Sequence, residues 1–180
     1  AFKKVYFDTV TRAAVSSFVE PQDLIVPYEA SDLNTAERVT QVIAMSRNEI
    51  RKQQLAGFYA DVEIKEGGAY LRRDEIDEEI DDIQGVSPSY NSDRDHLIYE
   101  VHTVLDLPGF EDIGEDGEPT GLKLPYIVTI DDSSRQVLAI RRNYRQNDPF
   151  KRKINYFVQY KFLPGLGFYG LGLSHMIGGL

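Results

Sequence analysis

The chain's patterning predicts an α+β fold, an antiparallel β-sheet meander with a few packed helices. Three observations point there. Four segments of the second half alternate apolar and polar residues with a period of two, the spacing that puts successive side chains on opposite faces of a strand. One strong helix signal, Ser46-Arg47-Asn48-Glu49, has the S-x-x-E form of a capping box. Short polar runs such as "DDSSR" (131–135) join alternating segments at hairpin length.

The elements follow in order. Phe2 to Asp8 and Ala14 to Glu20 read as strands around a turn at Thr9 to Arg12, and Pro21 ends the second. Arg38 to Met45, "RVTQVIAM", is rich in β-branched residues and reads as a third strand. The helix after Ser46 has Met45 and Ile50 at the positions of a hydrophobic staple and is predicted to run to about Ala56, stopping at Gly57. Ile50, Leu55 and Phe58 give it one modest apolar face, so it is expected to pack on a sheet. Residues 61–94 form an acidic polar insertion. Ile76, Ile80 and Ile83 recur there at helical spacing and predict a short helix from Arg73 to Ile83, and Gly85 to Asp95 is turn chemistry.

The meander begins at His96 to Leu107, with Leu97, Tyr99, Val101, Thr103, Leu105 and Leu107 on one face and His96, Glu100, His102 and Asp106 on the other. Lys123 to Asp131, Gln136 to Tyr144 and Ile154 to Leu163 complete four strands. The last is expected to put Ile154, Tyr156, Val158, Tyr160 and Phe162 on one side. At 180 residues the chain is read as a single domain, 1–180, or as two small lobes, of a size that buries about two thirds of its unfolded surface.

Composition narrows the function classes. A net charge of −9 argues against a surface that wraps nucleic acid throughout, because release of counterions needs many Lys and Arg on one face. Zero cysteines exclude disulfides, thiolate metal sites and a cysteine nucleophile, and suggest a cytosolic origin. No apolar stretch approaches the ~20 residues a membrane helix requires. The chain opens Ala-Phe-Lys-Lys without a basic and apolar leader, so the expectation is no signal peptide and a piece of a longer protein.

Charge placement says more than the sum. Asp61 to Asp82 holds ten acids and three bases, whereas Arg141 to Lys153 holds six bases and one acid. In that second run Arg141, Arg142, Arg145, Lys151, Arg152 and Lys153 interleave with Tyr144 and Phe150 around Asn147-Asp148-Pro149, expected at an exposed hairpin tip. Bases with aromatics between them suit phosphate contact with incidental stacking. An equally good reading is a basic loop paired with an acidic neighbour. These six residues are the candidate DNA- or partner-contact site.

Other patterns carry less. Gly165-Leu166-Gly167-Phe168-Tyr169-Gly170 matches G-x-G-x-x-G, but a dinucleotide loop follows a parallel strand directly and opens a helix. Here Pro164 intervenes after an antiparallel strand, so glycines bending the backbone at a corner are the better reading, with a small-ligand or nucleotide-binding domain as the alternative. His96, Glu100 and His102 share a strand face and could hold a metal. With no fourth ligand, the polar outer face of a half-buried strand is the stronger reading. Asp74 to Asp82 lacks the alternation and central Gly of a calcium loop and reads as a solvated helix face. "GFEDIGEDGEPTG" (109–121) reads as a flexible hairpin excursion, with calcium or partner binding as the lesser alternative. No Ser-His-Asp order, HExxH or nucleophile elbow occurs, so no enzyme, catalytic residue, metal or cofactor is expected.

Whole phrases carry a family resemblance. "FKKVYFDTVTRAAVSSFVEPQDLIVPYEASDLNTAERVTQVIAMSRNEIRKQQLAGFYADV" (2–62), "LIYEVHTVLDLPGFED" (97–112), "GLKLPYIVTID" (121–131), "VLAIRRNYRQNDPFKRK" (137–153) and "YFVQYKFLPGLGFYGLGLSHMIGGL" (156–180) resemble the wing region of portal proteins of tailed bacteriophages, of the P22-like type. The resemblance implies a structural, non-catalytic part of a dodecameric ring at one capsid vertex, assembled in the bacterial cytoplasm and carried in the virion. It implies as partners further copies of itself, a terminase, scaffold or capsid proteins, tail-adaptor proteins, and DNA bound without sequence specificity, and it implies no membrane. It also implies that residues from about 171 to 180 begin a stem helix, with Leu173, Met176, Ile177 and Leu180 on one face.

Overall fold

A computed structural model describes residues 1–8, 11–64, 79, 82–83, 85, 96–114, 116–161, 163–165, 168–172 and 177–178. The strands are β1 (Phe2–Asp8), β2 (Ala13–Val19), β3 (Leu24–Ile25), β4 (Val39–Met45), β5 (His96–Leu105), β6 (Leu124–Asp131), β7 (Val137–Arg142) and β8 (Phe157–Gln159), and helix α1 spans Arg47–Leu55. They form two antiparallel sheets, β2-β1-β8 and β3-β4-β5-β6-β7. Apart from a single-turn 3₁₀ segment at Pro21–Asp23, α1 is the one complete helix among the described residues, so the fold is mostly β with some α and the expectation of a few helices overstated the helical part. The expected helix at Arg73 to Ile83, the turns to Asp95 and the stem start after Gly172 lie almost wholly outside the described residues.

By contacts the chain divides into two compact units. The first holds Ala1–Gln41, Val101–Ile127 and Arg142–Leu180, and the second Val42–Glu100 and Val128–Arg141; β4 to β7 contribute residues to both.

In the first unit β1 and β2 pair in a seven-residue antiparallel ladder running from Phe2↔Val19 to Asp8↔Ala13. On its other edge β1 takes β8, with Phe2 opposite Gln159 and Lys4 opposite Phe157. That register places Phe2 and Phe157 on one face, where they are buried with Val19, Leu24, Leu33, Ala36, Val39 and Phe168. Each of these side chains larger than alanine contributes about 1.5–3 kcal/mol by leaving water. Phe168 stacks on Phe2 at 5.6 Å and 12°. The expected faces of the last strand are therefore reversed: Phe157 is buried while Val158 and Tyr160 are exposed. β8 also leaves the meander for β1, because β1 offers it an apolar partner face at Phe2 that alternation alone cannot reveal.

The second unit is built on α1. Ser46 caps it: its hydroxyl accepts from Glu49 N at 3.2 Å, and the Glu49 carboxylate accepts from Ser46 N at 2.9 Å. Ile50 is fully buried with Ile64, Ile98 and Leu138, and Met45 of the staple packs against the same cluster. The helix stops as expected, Gly57 taking the left-handed conformation with φ of 74°. Its expected apolar face is cut to Ile50, for Leu55 is 75% exposed. Five residues advance a helix by about 140° beyond a full turn, which takes Leu55 off the stripe.

The two faces of β5 are likewise exchanged. His96, Ile98 and His102 are buried, and the residues of the expected apolar face are partly exposed. That face carries fewer apolar residues than the other, Ile98 and Val104 against Leu97, Tyr99, Val101 and Leu105, so the apolar count does not decide which side is buried.

Candidate functional site

The basic run folds as a loop between sheets. β7 belongs to the five-stranded sheet and β8 to the three-stranded one, so Asn147-Asp148-Pro149 is not a hairpin tip. The neck is closed by backbone bonds: Asn143 N donates to Pro125 O and Ile154 N to Asn143 O, both at 2.9 Å. Asn143 itself is 2% exposed, and its Oδ1 has no hydrogen-bond partner among the described residues. It borders a small cavity of about 30 Å³ shared with His102 and Lys153.

Asp148 organises the turn. Its carboxylate accepts from Phe150 N at 3.1 Å, Arg152 N at 3.3 Å and Arg152 Nε at 3.0 Å. The Arg152 hydrogen bond is the largest influence holding the Asp148 carboxyl below its usual range, and burial works against it. Lys151 N donates to Asp148 O at 3.0 Å, and Lys151 takes a left-handed φ of 46°. An Asx turn closed by a salt-bridged arginine restricts the backbone of the loop. Phe150 stands 79% exposed, with the Arg152 guanidinium 5.9 Å from its ring centroid.

The six bases have separate duties. Lys151 forms an ion pair with Asp112. Lys153 donates to Ala36 O at 2.9 Å; burial lowers its pKa and Asp32 partly opposes that. Arg152 is held by Asp148. Arg141, counted with the second unit, donates to Phe58 O at 3.1 Å and lies 5.2 Å from the centre of the Phe58 ring. Arg142 and Arg145 are exposed and make no side-chain bond of this kind among the described residues. Arg145, Asn147, Asp148, Pro149, Arg152 and Lys153 line one open cleft of about 450 Å³. The cleft thus holds three cations against one carboxylate, an arrangement that attracts anions such as a phosphodiester.

Sequence reasoning missed Asp112, Phe58 and Asn143 as supports of the run. Asn147-Asp148-Pro149 did signal a turn; the Phe58 and Asp112 contacts span 83 and 39 positions and leave no local mark.

The remaining candidates have structural settings. The stretch 163–171 doubles back: Leu163 bridges Leu171 in antiparallel sense, with Leu171 N donating to Leu163 O at 2.9 Å. A Cβ on Gly170 would sit 2.7 Å from Leu163 O, so this glycine serves a close backbone approach. The strand-to-helix geometry of a dinucleotide loop is not present in the described part. His102 lies edge-on to Tyr156 and Phe157 at 5.6 and 5.0 Å, and His96 faces Asp131, so the histidines sit in buried settings and the expected polar outer face is not found. Among the described residues no three His, Cys, Asp or Glu side chains converge as a metal site. The 109–121 excursion closes on itself through the Ile113–Pro119 bridge. No helix among the described residues is long and apolar enough to cross a membrane.

No family model matches this chain, and no curated protein matches it in sequence.

Proposed function

We propose that the chain is a structural module of a phage portal-type ring, the wing region of a subunit whose copies surround the channel for DNA packaging and ejection at a capsid vertex. The observation that carries the reading is the run of portal-like phrases spread along 2–62 and 97–180. The backbone-restricted basic loop supports it, since a non-catalytic assembly module needs rigid contact surfaces more than it needs a reactive site. In this reading the module catalyses nothing. A separate terminase drives the DNA, scaffold, capsid and tail-adaptor proteins dock on the ring, and it resides in the virion after assembly in the bacterial cytoplasm.

Within the module, Arg142 and Arg145 make the electrostatic contact, with DNA phosphates or with acidic protein surface, while Arg141, Lys151, Arg152 and Lys153 hold the loop's shape. Electron microscopy of the longer protein containing this segment tests the reading. Closed rings with an axial channel are expected; a longer protein that stays dispersed as single subunits overturns it.

A further inference from the structure

The two sheets end in four edge strands, and three of them are blunted. β3 is two residues long and β8 three. β7 carries Arg141 and Arg142, and its Leu138 O already accepts from Ala60 N at 2.7 Å. Short length, charge and covering segments are the usual devices that keep sheet edges from pairing with other chains. β2 has none of them. Its seven residues, Ala13-Ala14-Val15-Ser16-Ser17-Phe18-Val19, include no charge and no proline. Among the described residues its ladder bonds go to β1, which leaves the outward-pointing half of its backbone donors and acceptors open. The β1–β2 register puts Phe18 on one face with Val5, Phe7 and Lys3, and Phe18 and Phe7 are 61% and 63% exposed.

The sequence of this edge is complementary to itself. Laid antiparallel against a second β2 about a two-fold axis at Ser16, the strand sets Ala14 opposite Phe18, Ala13 opposite Val19 and Val15 opposite Ser17. Large residues then meet small ones along the whole pairing, which avoids crowding on either face. One step beyond each end, Arg12, a turn residue with a left-handed φ of 52°, and Glu20 of the second copy are the nearest opposite charges, twice by symmetry. Both residues are exposed, and the only side-chain bond Glu20 makes among the described residues is from Gln22.

We propose that β2 is a self-association edge: two copies pair β2 to β2 about Ser16, joining their three-stranded sheets into one of six. The contact is isologous, so it closes on two copies and does not propagate. It stands on the edge and its register alone, whether or not the chain belongs to a ring.

Sedimentation velocity over a range of concentrations tests this with the intact chain. The wild type is expected to show a concentration-dependent dimer. Arg12→Glu and Glu20→Arg each turn both end pairs into like-charge pairs and are expected to weaken dimerisation about tenfold or more. An equimolar mixture of the two variants restores both attractive pairs and is expected to dimerise as the wild type does. Circular dichroism of each variant shows whether the monomer is intact. A wild type that stays monomeric throughout overturns the proposal, and so does a mixture that associates no better than either variant alone.

Discussion

His96 Nδ1 and Asp131 Oδ1 face each other at 3.5 Å, with side chains 1% and 0% exposed. The other carboxylate oxygen of Asp131 accepts three bonds across the β6–β7 turn, from Ser133 Oγ at 2.6 Å, Ser134 N at 2.8 Å and Ser134 Oγ at 2.7 Å. A polar plug thus closes the hairpin that begins where "DDSSR" signalled a turn.

This plug sets a dependence on pH. Burial alone raises the Asp131 pKa, but the hydrogen bonds of Ser133 and Ser134 and the proximity of His96 outweigh it, and the net direction is down from 3.8. A carboxyl whose folded pKa is depressed contributes stability that is complete above its unfolded pKa and is lost as pH falls through the folded one. Asp131→Ala is expected to cost about 2–4 kcal/mol at neutral pH, since it strands the serine donors beside a buried histidine. The measurement is the melting temperature against pH: the wild type should lose its advantage over the variant below about pH 4. An advantage that persists unchanged to pH 2 contradicts the assignment.

Helix α1 separates capping from packing. Ser46→Ala is expected to cost about 1 kcal/mol through the lost cap. Ile50→Ala should cost about 2–5 kcal/mol through the cavity it leaves. Leu55→Ala, at an exposed position, should stay within about 0.5 kcal/mol. Urea unfolding of the three variants checks the order, and a Leu55→Ala loss equal to that of Ile50→Ala would show that the described burial is wrong.

The basic loop divides into bases that hold it and bases it presents. Arg142→Ala with Arg145→Ala should leave the melting temperature unchanged and, if DNA is the partner, reduce the slope of log affinity against log salt by about two. Lys151→Ala should instead lower stability by about 0.2–1 kcal/mol, and no further in an Asp112→Ala background. Equal effects of both substitution sets on DNA affinity at equal stability would erase the distinction.

Gly170→Ala probes the corner at 163–171. The added Cβ meets Leu163 O, and relief by backbone movement should cost about 1–3 kcal/mol. Titration with NAD or ATP should leave the melting temperature where it was. A ligand-dependent rise would favour the nucleotide-binding alternative.

Much of the fold was legible where the signal is local. The capping box, the Gly57 stop, the β1–β2 hairpin and the strand at Val39–Met45 all lie within a few residues of the features that dictate them. What alternation could not decide was which face of a strand is buried. For β5 the buried face is the one with fewer apolar residues, and the choice falls to Ile98, which packs with Ile50 and Leu138 from distant segments. For β8 it is fixed by the register with β1, in which Phe157 lies opposite Lys4, 153 residues earlier. The basic run was legible as a charge cluster, but the division of labour among its bases depends on Phe58, Asp112 and Ala36, which only the fold brings near.

Assembly into the proposed portal-type ring would show as a change in solution mass. On the portal reading, mass photometry at nanomolar concentration should give a dodecameric mass for a portal-length protein that includes this segment, and a mass no larger than a dimer for residues 1–180. A longer protein that remains a monomer or dimer under the same conditions would contradict the account.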